Sequence, residues 1–183
     1  MDTLEAGPAE APTVVLLHGG GLAGWMWRPQ IEALQEFHLL VPDLPEHGGS
    51  ASEGPFTFAD AAGRVATLIQ TRAHGERAHV VGLSLGGQLA VQLLASYPQC
   101  LQRVLVSGTL VRPLPLLALA RRPWARALTR AMLMAYRPWR NANWLVHANM
   151  RANSIPPELD PEFRTATREL DVDRLLRLVL DVN

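Results

Sequence analysis

The sequence has one cysteine and no lysine among its 183 residues. A single cysteine excludes an internal disulfide framework and a metal cluster built from cysteines of this chain. Cys100 follows the stretch "SYPQ" and is interpreted as a partly buried thiol at a helix end. All seventeen basic residues are arginines, which we interpret as compositional bias and not as a code for a binding partner.

The chain also lacks a formal net charge, but its charges are unevenly distributed. Residues 1–76 and 158–183 are acidic, whereas residues 77–157 contain ten arginines and no acid. A basic segment can bind nucleic acid, anionic ligands or a membrane surface. Because these arginines are interleaved with apolar runs, we expect solvated faces that pair with the acidic flanks, and no nucleic-acid partner.

No apolar run approaches the roughly 20 residues that a membrane-spanning helix needs. In the second half of the chain such runs are cut by arginines, so we predict no membrane span. The N-terminus "MDTLEAGPAE" lacks the basic and apolar regions of a secretory signal, and a cytoplasmic protein is expected. With 48% hydrophobic and 19% charged residues, the composition is typical of a globular domain.

Short apolar runs alternate with helical patterns in the first part of the chain. Such alternation favours a mostly parallel sheet flanked by helices, the α/β class. After residue 111 the pattern changes to helix-like stretches broken by prolines, which predicts an all-helical region. Strands are predicted at 13–18, 38–43, 79–84 and 103–108, and helices at 28–37, 58–71 and 86–97.

The stretch "HVVGLSLGGQ" places a serine at the junction of a predicted strand and helix. Gly82, Ser84 and Gly86 match G-x-S-x-G, the pattern of a nucleophile elbow. Glycines are needed because a Cβ beside the strained serine would collide with neighbouring chain, and Gly87 extends this clearance. The turn displays the Ser84 hydroxyl and leaves the Leu85 N–H at a helix N-terminus, where it can stabilise an oxyanion.

Two glycine-containing loops precede the elbow. The stretch "LLHGGGLAGWMW" places His18 and three glycines after the first predicted strand, so that backbone N–H groups are open to a ligand oxygen. Gly20 is the second candidate oxyanion donor. The stretch "PDLPEHGGS" places Asp43, His47 and Ser50 in a tight polar loop after the second predicted strand.

The stretches "VVLLHG", "VPDLPEHGGS" and "HVVGLSLGGQLAVQLLASYP", in this order, resemble the α/β-hydrolase superfamily, in the branch with a helical cap. The resemblance covers roughly residues 11–110. It implies that Ser84 is the nucleophile and that the amides of Gly20 and Leu85 form the oxyanion hole. The implied reaction is cleavage of an ester, thioester, lactone or similar small acyl compound through an acyl-enzyme, without a cofactor.

The same resemblance implies two regions, the N-terminal part of the hydrolase core at 1–111 and a helical cap at 112–183. Candidate pocket residues are named on this basis, although core packing is the simpler interpretation of each one in the cap. They are His18, Trp124, Trp139, Trp144, Met132 and Met134.

A catalytic serine needs a general base and an acid, which follow in the chain order serine, acid, histidine in this superfamily. Here His147 is the one histidine after Ser84, and every later carboxylate follows His147. Three interpretations stay open. The chain is a fragment of a working hydrolase, truncated after or within the cap and without the last strands; or it is a non-catalytic protein or binding partner; or it uses an unusual base among His18, His47 and His147.

A sheet that ends at the strand 103–108 would present an apolar edge, so self-association through this edge is expected. The remaining histidines show no spacing typical of metal ligands, and the dinucleotide pattern G-x-G-x-x-G is absent. We therefore predict neither a metal nor a nucleotide cofactor.

Overall fold

The structure, a computed structural model, describes residues 1–109, 122–153 and 155–180. The chain divides into two compact units, Met1–Val111 and Arg112–Asn183. The first ten residues of the predicted cap, 112–121, lie outside the described residues. Within the described parts, no helix combines the length and apolarity needed to cross a lipid bilayer.

The first unit is built on a five-stranded sheet with the order β1-β3-β2-β4-β5. β1 pairs antiparallel with β3, and the other neighbours pair in parallel. This mostly parallel sheet with flanking helices confirms the predicted fold class. The strands are β1 Thr3–Ala6, β2 Thr13–Leu17, β3 His38–Pro42, β4 Ala78–Leu83 and β5 Leu101–Ser107.

Three helices accompany this sheet, each near its predicted position. α2 begins after Thr57, whose hydroxyl accepts a hydrogen bond from the Asp60 N–H, and one of its faces is buried. α1 has a proline in its first turn, and α3 ends two residues before Pro98. The helices are α1 Arg28–Ala33, α2 Phe58–Arg72 and α3 Leu85–Ser96.

The central strands are buried on both faces, as their continuous apolar runs predict. Every residue of β2 and β3 is buried. On one face of the sheet, Leu16, Leu39 and Val41 pack with Trp27. This packing anchors the strand ends from which the loops of the candidate site emerge.

Two expectations need correction. β1 was not predicted, because "TLEA" has no apolar run and Leu4 is half exposed; its pairing with β3 and the Asp43 N–H bond to the Asp2 carbonyl at 2.9 Å hold it instead. Cys100 is fully buried and not partly buried, and its thiol donates to the Tyr97 carbonyl at 3.1 Å. Burial raises the pKa of this thiol.

The described residues of the second unit form helices joined by turns. α4 packs on α7 through Leu133, which contacts Val172 and Leu176. Arg130 Nε lies 2.7 Å from the Asp173 carboxylate across the same pair of helices. The helices are α4 Pro123–Tyr136, α5 Asn143–Ala152, α6 Asp160–Glu169 and α7 Val172–Leu180.

Candidate active site

The carboxyl ends of the four parallel strands gather most of the predicted site residues of the first unit. His18 follows β2, Asp43 follows β3, Ser84 follows β4 and Gly108 follows β5. In α/β sheets of this kind, ligands bind outside the carboxyl ends of the strands. The fold thus brings the elbow and both glycine-containing loops to one edge of the sheet.

Ser84 connects β4 to α3 in a backbone conformation that a side chain disfavours, with φ 51° and ψ −111°. Such a conformation costs about 1–3 kcal/mol for a non-glycine residue and persists only where the surroundings impose it. The serine is exposed, whereas Leu85 after it is buried. The turn therefore presents the hydroxyl group at the surface of the sheet edge.

The glycines around Ser84 have no room for a side chain. A Cβ at Gly82 would overlap the carbonyl group of Gly86, and a Cβ at Gly86 would overlap the end of β2. At Gly87 a Cβ would overlap the side chain of Thr109. Close backbone approach therefore accounts for Gly82 and Gly86, and the side chain of Thr109 accounts for Gly87.

The elbow is also held by hydrogen bonds to β5 and β2. The Ser84 N–H donates to the Ser107 carbonyl at 2.9 Å, and the Thr109 hydroxyl donates to the Ser84 carbonyl. The Gly86 N–H donates to the His18 carbonyl at 3.1 Å. Sequence reasoning missed Ser107 and Thr109, and their place at the end of the strand beside β4 is the signal that could have found them.

Two backbone N–H groups near Ser84 are the candidate oxyanion donors. Within the described residues, neither the Leu85 nor the Gly20 N–H donates to a protein acceptor. Gly20 belongs to the glycine loop, residues 19–23, which lies against the elbow: a Cβ at Gly19 would be 3.7 Å from the Ser84 Cβ, and one at Gly20 would be 3.6 Å from Leu85 Cδ2. The structure thus brings both candidate oxyanion donors close to the serine.

His18 is fully buried and engaged through both ring nitrogens. Its Nε2 accepts the Leu44 N–H at 2.9 Å, so the proton of the neutral ring is on Nδ1, which donates to the Gly19 carbonyl at 2.9 Å. Burial, with a smaller contribution from His47, lowers the pKa of His18 to about 3, although the bond to Gly19 opposes this shift. A general base works best with a pKa near the operating pH, so His18 is unsuited to that role.

His47 is buried against His18, with ring centroids 5.1 Å apart. Its Nδ1 lies 2.9 Å from the Pro45 carbonyl, within its own loop. Because the ring is packed inside the loop, its position indicates stabilisation of the loop.

The other histidines of the first unit lie at the opposite end of the sheet. His38 is the first residue of β3, and its ring nitrogens contact Thr13 and Glu5, each at 3.0 Å. His74 precedes β4, and His79 is five residues before Ser84 on the same strand, or about 16 Å at the usual strand rise. None of these three side chains is placed to receive the proton of Ser84.

In the second unit, His147 pairs with Asp160, with Nε2 3.5 Å from Oδ2. Asp160 is also bound by the Arg164 guanidinium, whose hydrogen bond to this carboxylate lowers the pKa of Asp160. Among the described residues, no three histidine, cysteine or carboxylate side chains cluster as a metal site requires.

The aromatic and methionine candidates of the second unit lie at its surface. Trp124, Trp139, Trp144 and Met132 each expose more than 60% of their area, and Met134 exposes 36%. The simpler interpretation of core packing is therefore wrong for the three tryptophans and Met132.

A sequence model of the alpha/beta hydrolase family matches residues 14–181. Among curated proteins, an AB hydrolase superfamily protein of Gibberella zeae is 42% identical over 98 residues, which are 52% of this chain and 35% of that protein. A pimeloyl-(acyl-carrier protein) methyl ester esterase of Vibrio campbellii is 34% identical over 128 residues, which are 69% of this chain and 46% of that protein. The chain thus spans less than half the length of these two relatives.

A solved structure is similar to nearly the whole of this chain. The enol-lactonase from Burkholderia xenovorans is 27% identical, with a TM-score of 0.63. The similarity covers 98% of this chain and 69% of the enol-lactonase chain.

Proposed function

The chain belongs to the alpha/beta hydrolase family, and from this premise we propose that it carries the nucleophile and the oxyanion hole of a serine hydrolase. The observation that carries the proposal is the exposed Ser84 at φ 51°, between β4 and α3. A strained serine at such a turn is the arrangement of a nucleophile elbow. The substrate class is an ester, thioester, lactone or similar acyl compound.

In this mechanism Ser84 Oγ attacks the acyl carbon and gives its proton to a general base. The oxygen of the tetrahedral intermediate becomes negatively charged and accepts hydrogen bonds from the N–H groups of Leu85 and Gly20. The positive N-terminal end of α3 adds to this stabilisation. The base returns this proton to the leaving group as the intermediate collapses to an acyl-enzyme. Water then attacks the acyl carbon, which releases the acid and restores the Ser84 hydroxyl.

The general base and its orienting acid are proposed to come from chain outside these 183 residues. Two observations support this assignment. His18 and His47 are packed inside loops, and the other histidines of the first unit lie at the far end of the sheet. The curated relatives are more than twice as long as the parts that this chain matches.

The names of relatives support the substrate class. The Vibrio campbellii relative is named a methyl ester esterase, and the Burkholderia xenovorans structure is an enol-lactonase. Both names describe cleavage of an ester or lactone bond. We propose that residues 112–183 form a cap, a role for which the exposed apolar surface of Trp124, Trp139 and Trp144 is suited.

A second candidate function is a non-catalytic member of the family that binds an acyl compound or a related hydrolase. The observation that favours it is the absence of a suitably placed histidine among the described residues of the first unit.

Labelling of the full-length protein with a fluorophosphonate separates the two functions, because this probe reacts only with an activated serine. The hydrolase predicts stoichiometric labelling that is lost in Ser84→Ala. Ser96→Ala, which alters an exposed serine at the end of α3, is the matched control and should label normally. Failure of the full-length wild type to label would reject the hydrolase and favour the non-catalytic function.

The role of Gly20 is testable separately. Gly20→Pro removes its N–H, and a Cβ at this position would meet Leu85 only at ordinary contact distance. Losing one oxyanion donor typically slows turnover by about 100-fold to 1,000-fold. We expect a loss of this order in ester hydrolysis, measured as kcat. Unchanged turnover would remove Gly20 from the oxyanion hole.

A further inference from the structure

The glycine loop is attached at both ends to two consecutive residues that follow β3. At its start, the Leu44 N–H donates to His18 Nε2, and His18 in turn donates to the Gly19 carbonyl. At its end, the N–H of Gly24 donates to the carboxylate of Asp43. Only residues 19–23 lie between these attachments, so the position of the loop depends on the segment after β3.

The Asp43 carboxylate joins two loops through short hydrogen bonds. Its Oδ1 accepts the Gly24 N–H at 2.6 Å, and its Oδ2 accepts the Gly49 N–H at 2.7 Å. Bonds to an ionised acceptor at such distances are about twice as strong as neutral ones. Both oxygens are therefore used to hold backbone groups of different chain segments.

The space around this carboxylate is shaped for it. A Cβ at Gly24 would lie 3.1 Å from Asp43 Oδ1, and a Cβ at Gly48 would overlap the carboxylate itself. Gly48 has φ +48°, which a glycine adopts without strain. The Asp43 N–H is also fixed, by donation to the Asp2 carbonyl at 2.9 Å. These contacts fix the Asp43 carboxylate relative to both loops.

We propose that Asp43 is a positioning residue for the oxyanion hole, which places the Gly20 N–H by fixing the end of the glycine loop. The inference rests on the proposed function. Effects of about 100-fold can follow from a displacement of 1 Å in a catalytic group. Without the Asp43 carboxylate, the Gly24 end of this five-residue loop loses its hydrogen bond to the segment after β3, and Gly20 lies within the loop.

Two substitutions test the proposal in the full-length protein. Asp43→Ala removes both hydrogen bonds, and Asp43→Asn keeps one acceptor while placing an NH₂ group against the second N–H. Both should slow fluorophosphonate labelling, by about tenfold or more, because the phosphoryl oxygen of the probe occupies the oxyanion hole. The matched control is Glu53→Gln, in the same loop region. It replaces a carboxylate that contacts the N-terminus, Ser50 and Arg64. It should label at the wild-type rate.

A combination with Gly20→Pro distinguishes positioning from a general loss of stability. If Asp43 acts through the Gly20 N–H, Asp43→Asn should slow labelling of the Gly20→Pro protein by less than about twofold, since the donor is already absent. If the two substitutions multiply, Asp43 does not act through Gly20 and the proposal is overturned. Equal slowing by Glu53→Gln would overturn it as well.

An NMR measurement keeps this test separate from the proposed activity. In Asp43→Asn, the amide resonances of Gly24 and Gly20 should both shift, and exchange of the Gly20 amide with solvent should change. If the wild type does not label, the proposed hydrolase fails, but these resonances still report on the attachment of the loop. An unchanged Gly20 resonance would overturn the positioning role whatever the labelling shows.

Discussion

Ser84 is held at a positive φ by its neighbours, and glycine would adopt this conformation without the same cost. Removal of the hydroxyl alone leaves this strain in place. Removal of the Cβ releases it. The strain at Ser84 can therefore be measured by comparing Ser84→Ala with Ser84→Gly.

Ser84→Gly is expected to have a higher free energy of unfolding than Ser84→Ala, by about 1 kcal/mol. Urea denaturation measures the difference. Gln92, in the middle of α3, provides the control. At this position the order should reverse, with Gln92→Gly less stable than Gln92→Ala. Equal stability of the two Ser84 variants would argue against strain at the elbow.

The buried His18 should make the free energy of unfolding depend on pH. Its pKa is about 3 in the folded protein and 6.5 when unperturbed, so the unfolded chain binds the proton first as the pH falls. Stability from the neutral ring is therefore present above pH 6.5 and is lost as the pH approaches 3. The carboxyls with lowered pKa, such as Glu53 and Asp160, start from 4.5 or below, so His18 should dominate between pH 6.5 and 4.5.

In that window the free energy of unfolding should fall by up to about 1.4 kcal/mol per pH unit. His18→Gln, whose amide oxygen can accept the Leu44 N–H, should flatten the dependence while lowering stability overall. His74→Gln changes an exposed histidine and should keep the wild-type slope. Urea titrations at several pH values provide the measurement, and a slope that survives in His18→Gln would contradict the assignment.

At the scale of elements, β5 differs from the other parallel strands. It pairs with β4 and with no further strand among the described residues, and most of its residues are exposed. Leu105 and Val106 expose 57% and 42% of their area. An unpaired strand edge with exposed apolar residues is a template for pairing with another chain. Self-association through β5 remains a prediction.

The 183-residue chain should form concentration-dependent oligomers, and Leu105→Lys should reduce them because a charge on an edge strand opposes pairing. Leu94 is similarly exposed, at 52%, but lies on α3, so Leu94→Lys is the matched control and should leave association unchanged. Analytical ultracentrifugation measures both. Association that is insensitive to Leu105→Lys, or reduced equally by both substitutions, would exclude β5 as the interface.

At the scale of the whole molecule, the alignments cover most of this chain in the family model but less than half of each of the two curated relatives. The family model covers residues 14–181, whereas the two curated relatives extend well beyond the aligned parts. The proposed hydrolase needs a base and an acid that the described residues of the first unit do not place near Ser84. The proposal therefore assigns both groups to chain outside these 183 residues.

The intact mass of the protein from its natural source should accordingly exceed the 20.1 kDa of these residues. Mass spectrometry of the endogenous protein measures it directly. A larger mass, from added chain that contains a histidine and a carboxylate, supports the hydrolase. A mass of 20.1 kDa would favour the non-catalytic function, or a base supplied by a partner chain.

Much of the fold could be predicted from the sequence because the signals are local. Continuous apolar runs locate β2 and β3, since strands buried on both faces are apolar through their centres. The spacing of Gly82, Ser84 and Gly86 locates the elbow, since its sharp turn has no room for a Cβ. β1 was missed because its stability comes from pairing with β3 and not from its own composition.

The sequence by itself determined the α/β class, the positions of the four parallel strands β2 to β5 and the candidate nucleophile, because periodicity and steric demand act within a few residues. Only the tertiary structure decided that His18 Nε2 accepts the Leu44 N–H, that the Thr109 hydroxyl donates to the Ser84 carbonyl and that Asp43 accepts the Gly24 N–H. These contacts join residues 19 to 26 positions apart in the chain. Their partners depend on strand order and register, which the local pattern does not contain.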